Sequence, residues 1–140
     1  FLVFLQIIIG AFVSGMDAGK IYNTWPLMGK TFFPNDNSFY SLFKITAFSE
    51  PSLVQFMHRN LAYIIMLIYL ITLYLIISNR LIKFNKTIYV LGLILLLQIV
   101  LGIMTVINGA QMLTASMHQV SSILLVSFSV YFLFINTKKN

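Results

Sequence analysis

The sequence predicts an all-α, membrane-embedded four-helix bundle. Its 140 residues are 59% hydrophobic and 9% charged, and few soluble domains have such a composition. Four apolar segments stand out, and a run of about 20 such residues is long enough to cross a bilayer. Helices are favoured because lipid cannot hydrogen-bond to open backbone groups, and no ten-residue alternation indicates a barrel.

The predicted helices cover about residues 1–14, 53–77, 88–107 and 115–136, and a long outer loop covers residues 15–52. The first segment is too short to span comfortably and lacks the basic start and cleavage site of a signal peptide. We therefore expect a helix that begins before residue 1. The chain, residues 1–140, is expected to be a single transmembrane unit of a longer protein.

Charges in the loops predict the orientation. Arg80, Lys83 and Lys86 lie between helices 2 and 3, and Lys138 and Lys139 follow helix 4. Because positively charged loops stay on the cytoplasmic side, the starts of helices 2 and 4 and the long loop are expected at the outer face. This topology explains the net charge of +6, and no nucleic-acid partner is expected because the charges do not cluster with aromatics on a polar face.

The outer loop is long and rich in aromatic side chains. Loops of this length are usually functional or disordered, and the aromatic content argues against disorder. We expect a folded flap with a short interfacial helix around residues 39–48 and with Trp25 in the headgroup zone. Asp17 and Lys20 either belong to a loop turn in which the Asp17 carboxylate has its hydrogen-bond or ion-pair partner, or contact a ligand or a partner protein.

Two copies of one pattern each carry a histidine, and the chain has two histidines in all. The copies begin at residues 5–10 (LQIIIG) and 97–102 (LQIVLG), and a Met-His pair opens the next helix, at residues 57–58 and 117–118. Parallel repeats relate by an axis along the membrane normal. The repeat therefore predicts two helix pairs, with His58 and His118 at similar depth near the outer face.

An intramembrane histidine indicates a functional site, because ionisable groups are costly in lipid. A histidine that hydrogen-bonds a loop carbonyl is the simpler alternative. Zinc is poorly supported, since its sites need three or four protein ligands and the chain has no cysteine. A proton relay lacks carboxylates within the spans. A non-covalent haem suits the pattern best, with His58 and His118 as axial iron ligands in an apolar slot.

Several neighbouring side chains bear on such a slot. The positions one turn beyond the histidines are Leu61, Ala62, Ser121 and Ser122. Small residues there either make room for a flat ring or allow close helix packing. Arg59 is a candidate to bind a haem propionate, with a lipid headgroup as the alternative, and Gln6 and Gln98 are predicted to link helices. Two imidazoles on one iron leave no open position, so the centre would pass electrons.

Four stretches of the chain resemble haem A synthase of the mitochondrial and alphaproteobacterial type. They are residues 15–29 (GMDAGKIYNTWPLMG), 50–59 (EPSLVQFMHR), 98–103 (QIVLGI) and the pair His118-Gln119. The resemblance covers essentially the whole chain, and the loop signature is long and specific.

This resemblance implies an eight-helix enzyme of two four-helix halves that oxidises a ring methyl of haem O to the formyl group of haem A. By motif match, His58 and His118 would hold a haem b in the C-terminal half, which is this chain. The missing N-terminal four-helix half would hold the substrate haem and the catalytic residues. An electron donor is also implied, in a bacterial or mitochondrial inner membrane.

Two other functions stay open. A stand-alone bis-histidine b-type cytochrome would move electrons without a second half. A truncated remnant or scaffold subunit would be non-catalytic and free of cofactor. A homo-oligomer is compatible with each of these functions.

Overall fold

Four α-helices make up most of the chain. The computed structural model describes residues 1–137, apart from the side chains of residues 82, 83, 85 and 136. The helices are α1 (Leu2–Gly15), α2 (Pro51–Ser78), α3 (Ile82–Ile107) and α4 (Met112–Thr137). Within residues 1–137 there is no β-strand. The predicted all-α, four-helix class is confirmed, and the tail lysines Lys138 and Lys139 lie outside the described residues.

Among the described residues, three helical segments are long and apolar enough to cross a membrane. They are Pro51–Ser78, Lys86–Ile107 and Met112–Ile135, whereas α1 is an apolar helix of 14 residues. Large apolar side chains such as Leu67 and Leu93 are exposed on the outside of the bundle. Such faces suit lipid, whose tails are equally apolar. The chain is a multi-pass membrane protein.

The start of α3 differs from the prediction. This helix begins at Ile82 rather than Ile88, so Lys83 and Lys86 lie in its first turns and the connection from α2 is reduced to residues 79–81. Arg80 closes that turn with a φ of 52°. The difference arises because hydrophobicity marks only the apolar part of a helix, whereas lysine is itself a good helix former. The helix α4 begins at Met112, three residues before its predicted start.

Helices that are neighbours in sequence form two pairs. α1 packs on α2 and α3 packs on α4, and the pairs meet where α2 contacts α3 and α1 contacts α4. At the second of these meetings, Gln119 Nε2 donates to Ser14 Oγ at 3.1 Å. This arrangement agrees with the predicted pseudo-repeat of two helix pairs.

The contact between α2 and α3 depends on a glycine. The Tyr69 hydroxyl donates to the Ile88 carbonyl at 3.3 Å, and a Cβ at Gly92 would overlap that hydroxyl. We expect Gly92→Ala to push Tyr69 away and to lower the free energy of unfolding by about 1–3 kcal/mol. Thermal unfolding in detergent measures this, with Gly15→Ala as control because nothing lies within 4 Å of a Cβ there. Equal melting temperatures for both variants would contradict the expectation.

The outer loop is folded, as its aromatic content predicted. In place of one interfacial helix over residues 39–48, it forms two 3₁₀ helices, Phe39–Phe43 and Ile45–Ser49. Phe33 packs edge-on against Phe56 of α2, with 5.0 Å between ring centroids. The loop is therefore attached to the first helix pair through its aromatic side chains.

Polar side chains complete the attachment of the loop. Asn23 Nδ2 donates to the carbonyl of Val106 at the end of α3, at 3.0 Å, so the loop also rests on the second helix pair. The Tyr22 hydroxyl donates to Asn35 Oδ1 at 2.7 Å and to Asp36 Oδ1 at 3.2 Å. Partial burial, and then the Asp36 carboxylate, raise the pKa of Tyr22, so this phenol keeps the proton that it donates.

Candidate functional site

His58 and His118 occupy equivalent positions near the starts of α2 and α4. His58 is the eighth residue of α2 and His118 is the seventh of α4, so each lies about 10 Å along its helix. Their ring centroids are 6.4 Å apart, and the ring planes are inclined at 84°. The structure thus brings together the two histidines that the repeat predicts in one site.

A glycine on the adjacent helix lies against each imidazole. Gly10 of α1 faces His58 and Gly102 of α3 faces His118, and a Cβ at either position would stand 3.1 Å from the ring Cε1. A side chain would therefore crowd the ring, and glycine permits the close approach of ring and helix. Both glycines are part of the sequence repeat, but the repeat alone does not show that they face the histidines.

A glutamine one turn before each glycine binds the same histidine. Gln6 Nε2 donates to the His58 carbonyl at 3.1 Å, and Gln98 Nε2 donates to the His118 carbonyl at 3.2 Å. Residues four apart share one face of a helix, so a Gln-x-x-x-Gly stretch receives a histidine twice in the chain. We call Gln6 with Gly10, and Gln98 with Gly102, the two histidine seats. The glutamines link helices as predicted, and the residues that they reach are the histidines.

The two histidine seats differ at the imidazole rings. Gln6 Nε2 lies 3.2 Å from His58 Nε2, whereas Gln98 Nε2 makes its second hydrogen bond to Ser121 Oγ. Ser121 Oγ donates to the His118 carbonyl at 3.1 Å. Among the described residues, Nδ1 of each ring is buried without a hydrogen-bond partner. Each imidazole therefore retains a nitrogen that no protein group engages.

Arg59 binds the outer loop. Its side chain is buried, and Nη1 donates to the carbonyls of Thr24 at 2.8 Å and Leu27 at 3.3 Å, while Nη2 donates to that of Tyr22 at 2.9 Å. A guanidinium offers five N–H donors, and the buried Nε has no hydrogen-bond partner in the described part of the chain. The sequence predicted a contact of Arg59 with a propionate or a lipid headgroup, and did not predict the hydrogen bonds to the loop carbonyls.

Asp17 and Lys20 form an ion pair with each other. Lys20 Nζ lies 2.9 Å from Asp17 Oδ1, and both side chains are exposed. This ion pair agrees with the first alternative from the sequence, a loop turn in which the Asp17 carboxylate has a partner. An exposed pair of this kind contributes about 0–1 kcal/mol to the free energy of unfolding. Over the described side chains, no group of three or more His, Cys, Asp or Glu residues comes together.

An apolar cavity of about 320 Å³ lies between the helices beyond the histidines. It is lined by Ile65 and Leu125, each seven residues after a histidine. Its volume is at the lower end of the range for ligand pockets. The lining suits an apolar group rather than a charged one.

Comparisons with known proteins show to which family this chain belongs. The model of the COX15-CtaA family, described as cytochrome oxidase assembly protein, matches residues 1–130. The chain belongs to that family. It is 43% identical over 139 residues to the haem A synthase of Pelagibacter ubique, covering 99% of this chain and 40% of that protein. It is 36% identical over 140 residues to that of Rickettsia prowazekii, covering 96% and 41%.

A third member of the family, the haem A synthase of Roseobacter denitrificans, is 38% identical over 121 residues, with 86% of this chain and 32% of that protein covered. The resemblance to haem A synthase noted from the loop signature is thereby confirmed. The chain spans about 40% of the length of the first two of these relatives. No solved structure matches the chain.

Proposed function

We propose that this chain is the haem b-binding, electron-transfer half of a haem A synthase-like membrane oxidoreductase. The complete enzyme would oxidise a ring methyl of haem O to the formyl group of haem A through successive hydroxylations. The family match and the relatives named haem A synthase support that reaction. For this chain, the observation that carries the proposal is the close approach of the half-buried side chains of His58 and His118, whose ring centroids are 6.4 Å apart.

The donor set fits an iron held between the two histidines. An imidazole nitrogen binds a first-row metal at about 2 Å, so two rings on one ion have centres roughly 6 Å apart. The centroids of His58 and His118 are 6.4 Å apart. Their inclined planes are compatible with this, because each ring can turn about its own bond to the metal. Nδ1 of each ring is buried without a hydrogen-bond partner among the described residues, so each ring keeps hydrogen-bonding capacity that the protein does not use.

A haem b bound here would supply a one-electron carrier. His58 and His118 would hold its iron through one imidazole nitrogen each. The apolar interior would exclude water from the ring. The unpartnered Nε–H of Arg59 would donate to a propionate carboxylate, a charge-assisted hydrogen bond of the stronger kind.

The catalytic residues and the haem O site lie outside this chain in the proposal. Partners would be an N-terminal four-helix half, an electron donor and the lipid of a bacterial or mitochondrial inner membrane. The histidines and the long loop would face the outer side. Arg80 in the α2–α3 turn supports this orientation, because basic turns stay on the cytoplasmic side.

A stand-alone b-type cytochrome is the second candidate function. It is favoured by the position of both histidine seats within this one chain, where the contact of Gln119 with Ser14 joins α4 to α1. Such a protein would use the same two histidines and would need no second half.

The test is to purify the chain from membranes with added haem b and to record its reduced-minus-oxidised spectrum. We expect a sharp low-spin b-type band. Absence of bound haem from a folded, helical chain would contradict the proposal. Supplying the remaining part of a relative's haem A synthase, with haem O and a reductant, then separates the two candidates. Haem A should form with the second half present, whereas the stand-alone cytochrome would form none.

A further inference from the structure

We infer that Gln6 and Gln98 are positioning residues that aim the two histidines at a shared metal, and that Gln6 also engages the ring of His58. The aiming part rests on the proposed haem site. The ring contact concerns the protein alone and can be tested without haem.

Gln6 and Gln98 each hydrogen-bond to the main chain of a histidine. A carbonyl oxygen has two lone pairs, so those of His58 and His118 can each accept a glutamine N–H in addition to the bond within the helix. These bonds, at 3.1 and 3.2 Å, fix the rotation of α2 against α1 and of α4 against α3. The direction of each imidazole follows from that rotation.

Gly10 and Gly102 let the imidazole lie directly against the neighbouring helix, since a Cβ would stand 3.1 Å from Cε1. Each ring is therefore confined on one side by the glycine, while its backbone is held by the glutamine. Each histidine is thus held in two independent ways. In metal sites, residues that contact a ligand without touching the metal orient it in the same manner.

The two histidine seats differ in the second contact that each glutamine makes. Gln6 Nε2 lies 3.2 Å from His58 Nε2, and Gln6 Oε1 is buried without a hydrogen-bond partner among the described residues. If Nε2 is the iron ligand, His58 must give up this contact when iron binds. The second hydrogen bond of Gln98 goes to Ser121 instead. Gln6 therefore both aligns His58 and competes for its ring, whereas Gln98 only aligns His118.

The haem-loaded chain tests the alignment with Gln6→Leu and Gln98→Leu, which keep side-chain size and remove the donor. We expect haem affinity to fall by about 10- to 100-fold for Gln98→Leu, and less for Gln6→Leu, where a competitor is lost as well. The haem that still binds should be partly high-spin, and free imidazole should restore the low-spin spectrum. A purely structural role would not give this rescue.

Controls use the lipid-facing neighbours Ile8 and Leu97, which are 55% and 45% exposed. Ile8→Ala and Leu97→Ala should leave affinity and spin state unchanged. If the leucine variants do not fold, Gly10→Ala and Gly102→Ala disturb the same histidine seats and should also raise the high-spin fraction. If every folded variant of the histidine seats kept the haem affinity and spectrum of the wild type, the aiming role of the glutamines would be overturned. Haem binding by the wild-type chain would still uphold the proposed function in that case.

The haem-free chain tests the ring contact. Because the chain has two histidines, ¹⁵N-histidine labelling yields two imidazole signal sets in NMR spectra. Gln6→Leu should shift the ring ¹⁵N signals of His58 strongly, and Gln98→Leu should shift those of His118 far less. Unchanged His58 signals in Gln6→Leu would overturn the ring contact. A wild-type chain that binds no haem would instead contradict the proposed function and the aiming role, and would leave this spectrum to decide the ring contact alone.

Discussion

Replacement of either His58 or His118 by alanine is expected to abolish the low-spin haem spectrum of the chain. Both rings are needed to hold one iron from two sides, so each single variant should lose as much as the double variant. Removal of a residue that only supports a metal ligand lowers affinity roughly 10- to 100-fold. Removal of a ligand itself should lower haem affinity by more than this. Haem content per chain and the reduced-minus-oxidised spectrum measure it.

The matched control is Met117→Ala, next to His118 but 50% exposed on the lipid side. It should keep the full haem content and the wild-type band. Haem binding that survives in both single histidine variants would rule out a shared site. Loss in only one of them would leave a single-ligand haem, to which the other histidine contributes nothing.

Arg59→Met is expected to release the outer loop from the bundle. The variant removes a buried guanidinium that donates to the carbonyls of Tyr22, Thr24 and Leu27. Hydrogen bonds to charged groups contribute about 1.5–3 kcal/mol each, so the haem-free chain should lose about 3 kcal/mol or more of its free energy of unfolding. Thermal unfolding and protease cleavage within residues 22–27 report the two effects.

Lys44→Met serves as the comparison, since it removes an exposed positive charge from the same loop. It should leave both the melting temperature and the cleavage rate near wild type. Arg59→Lys should have a melting temperature and a cleavage rate between those of the wild type and Arg59→Met, because one ammonium group cannot reproduce the planar fork of a guanidinium. Slow, wild-type-like cleavage in Arg59→Met would show that the aromatic contacts hold the loop without the arginine.

The helices and the histidine pair could be predicted because their signals are local. Apolar runs mark the spans, and a Met-His pair repeated at two helix starts is visible in the sequence itself. The pairing of His58 with His118 then required only that the two copies pack side by side, as the contacts of α2 with α3 and of α1 with α4 show.

The role of Arg59 could not be predicted, because it depends on contacts far apart in sequence. Its partner Thr24 is 35 residues away, and the path of the loop between them is set by turns such as the one at Gly29, with a φ of 73°. The same holds for Gly10, whose function appears only when an imidazole 48 positions later lies against it.

The chain between glutamine and histidine is much longer in the first copy than in the second, and this has a consequence for the order in which the site forms. Gln98 reaches His118 across 20 residues, whereas Gln6 reaches His58 across 52. Closing the longer segment costs about 0.8 kcal/mol more in chain entropy, and it also requires the loop of residues 16–50 to fold against Arg59. The hairpin of α3 and α4 should therefore form as an early, self-sufficient nucleus. When a complete, unfolded chain refolds, the α1–α2 pair would then finish the site last, after His118 is in place.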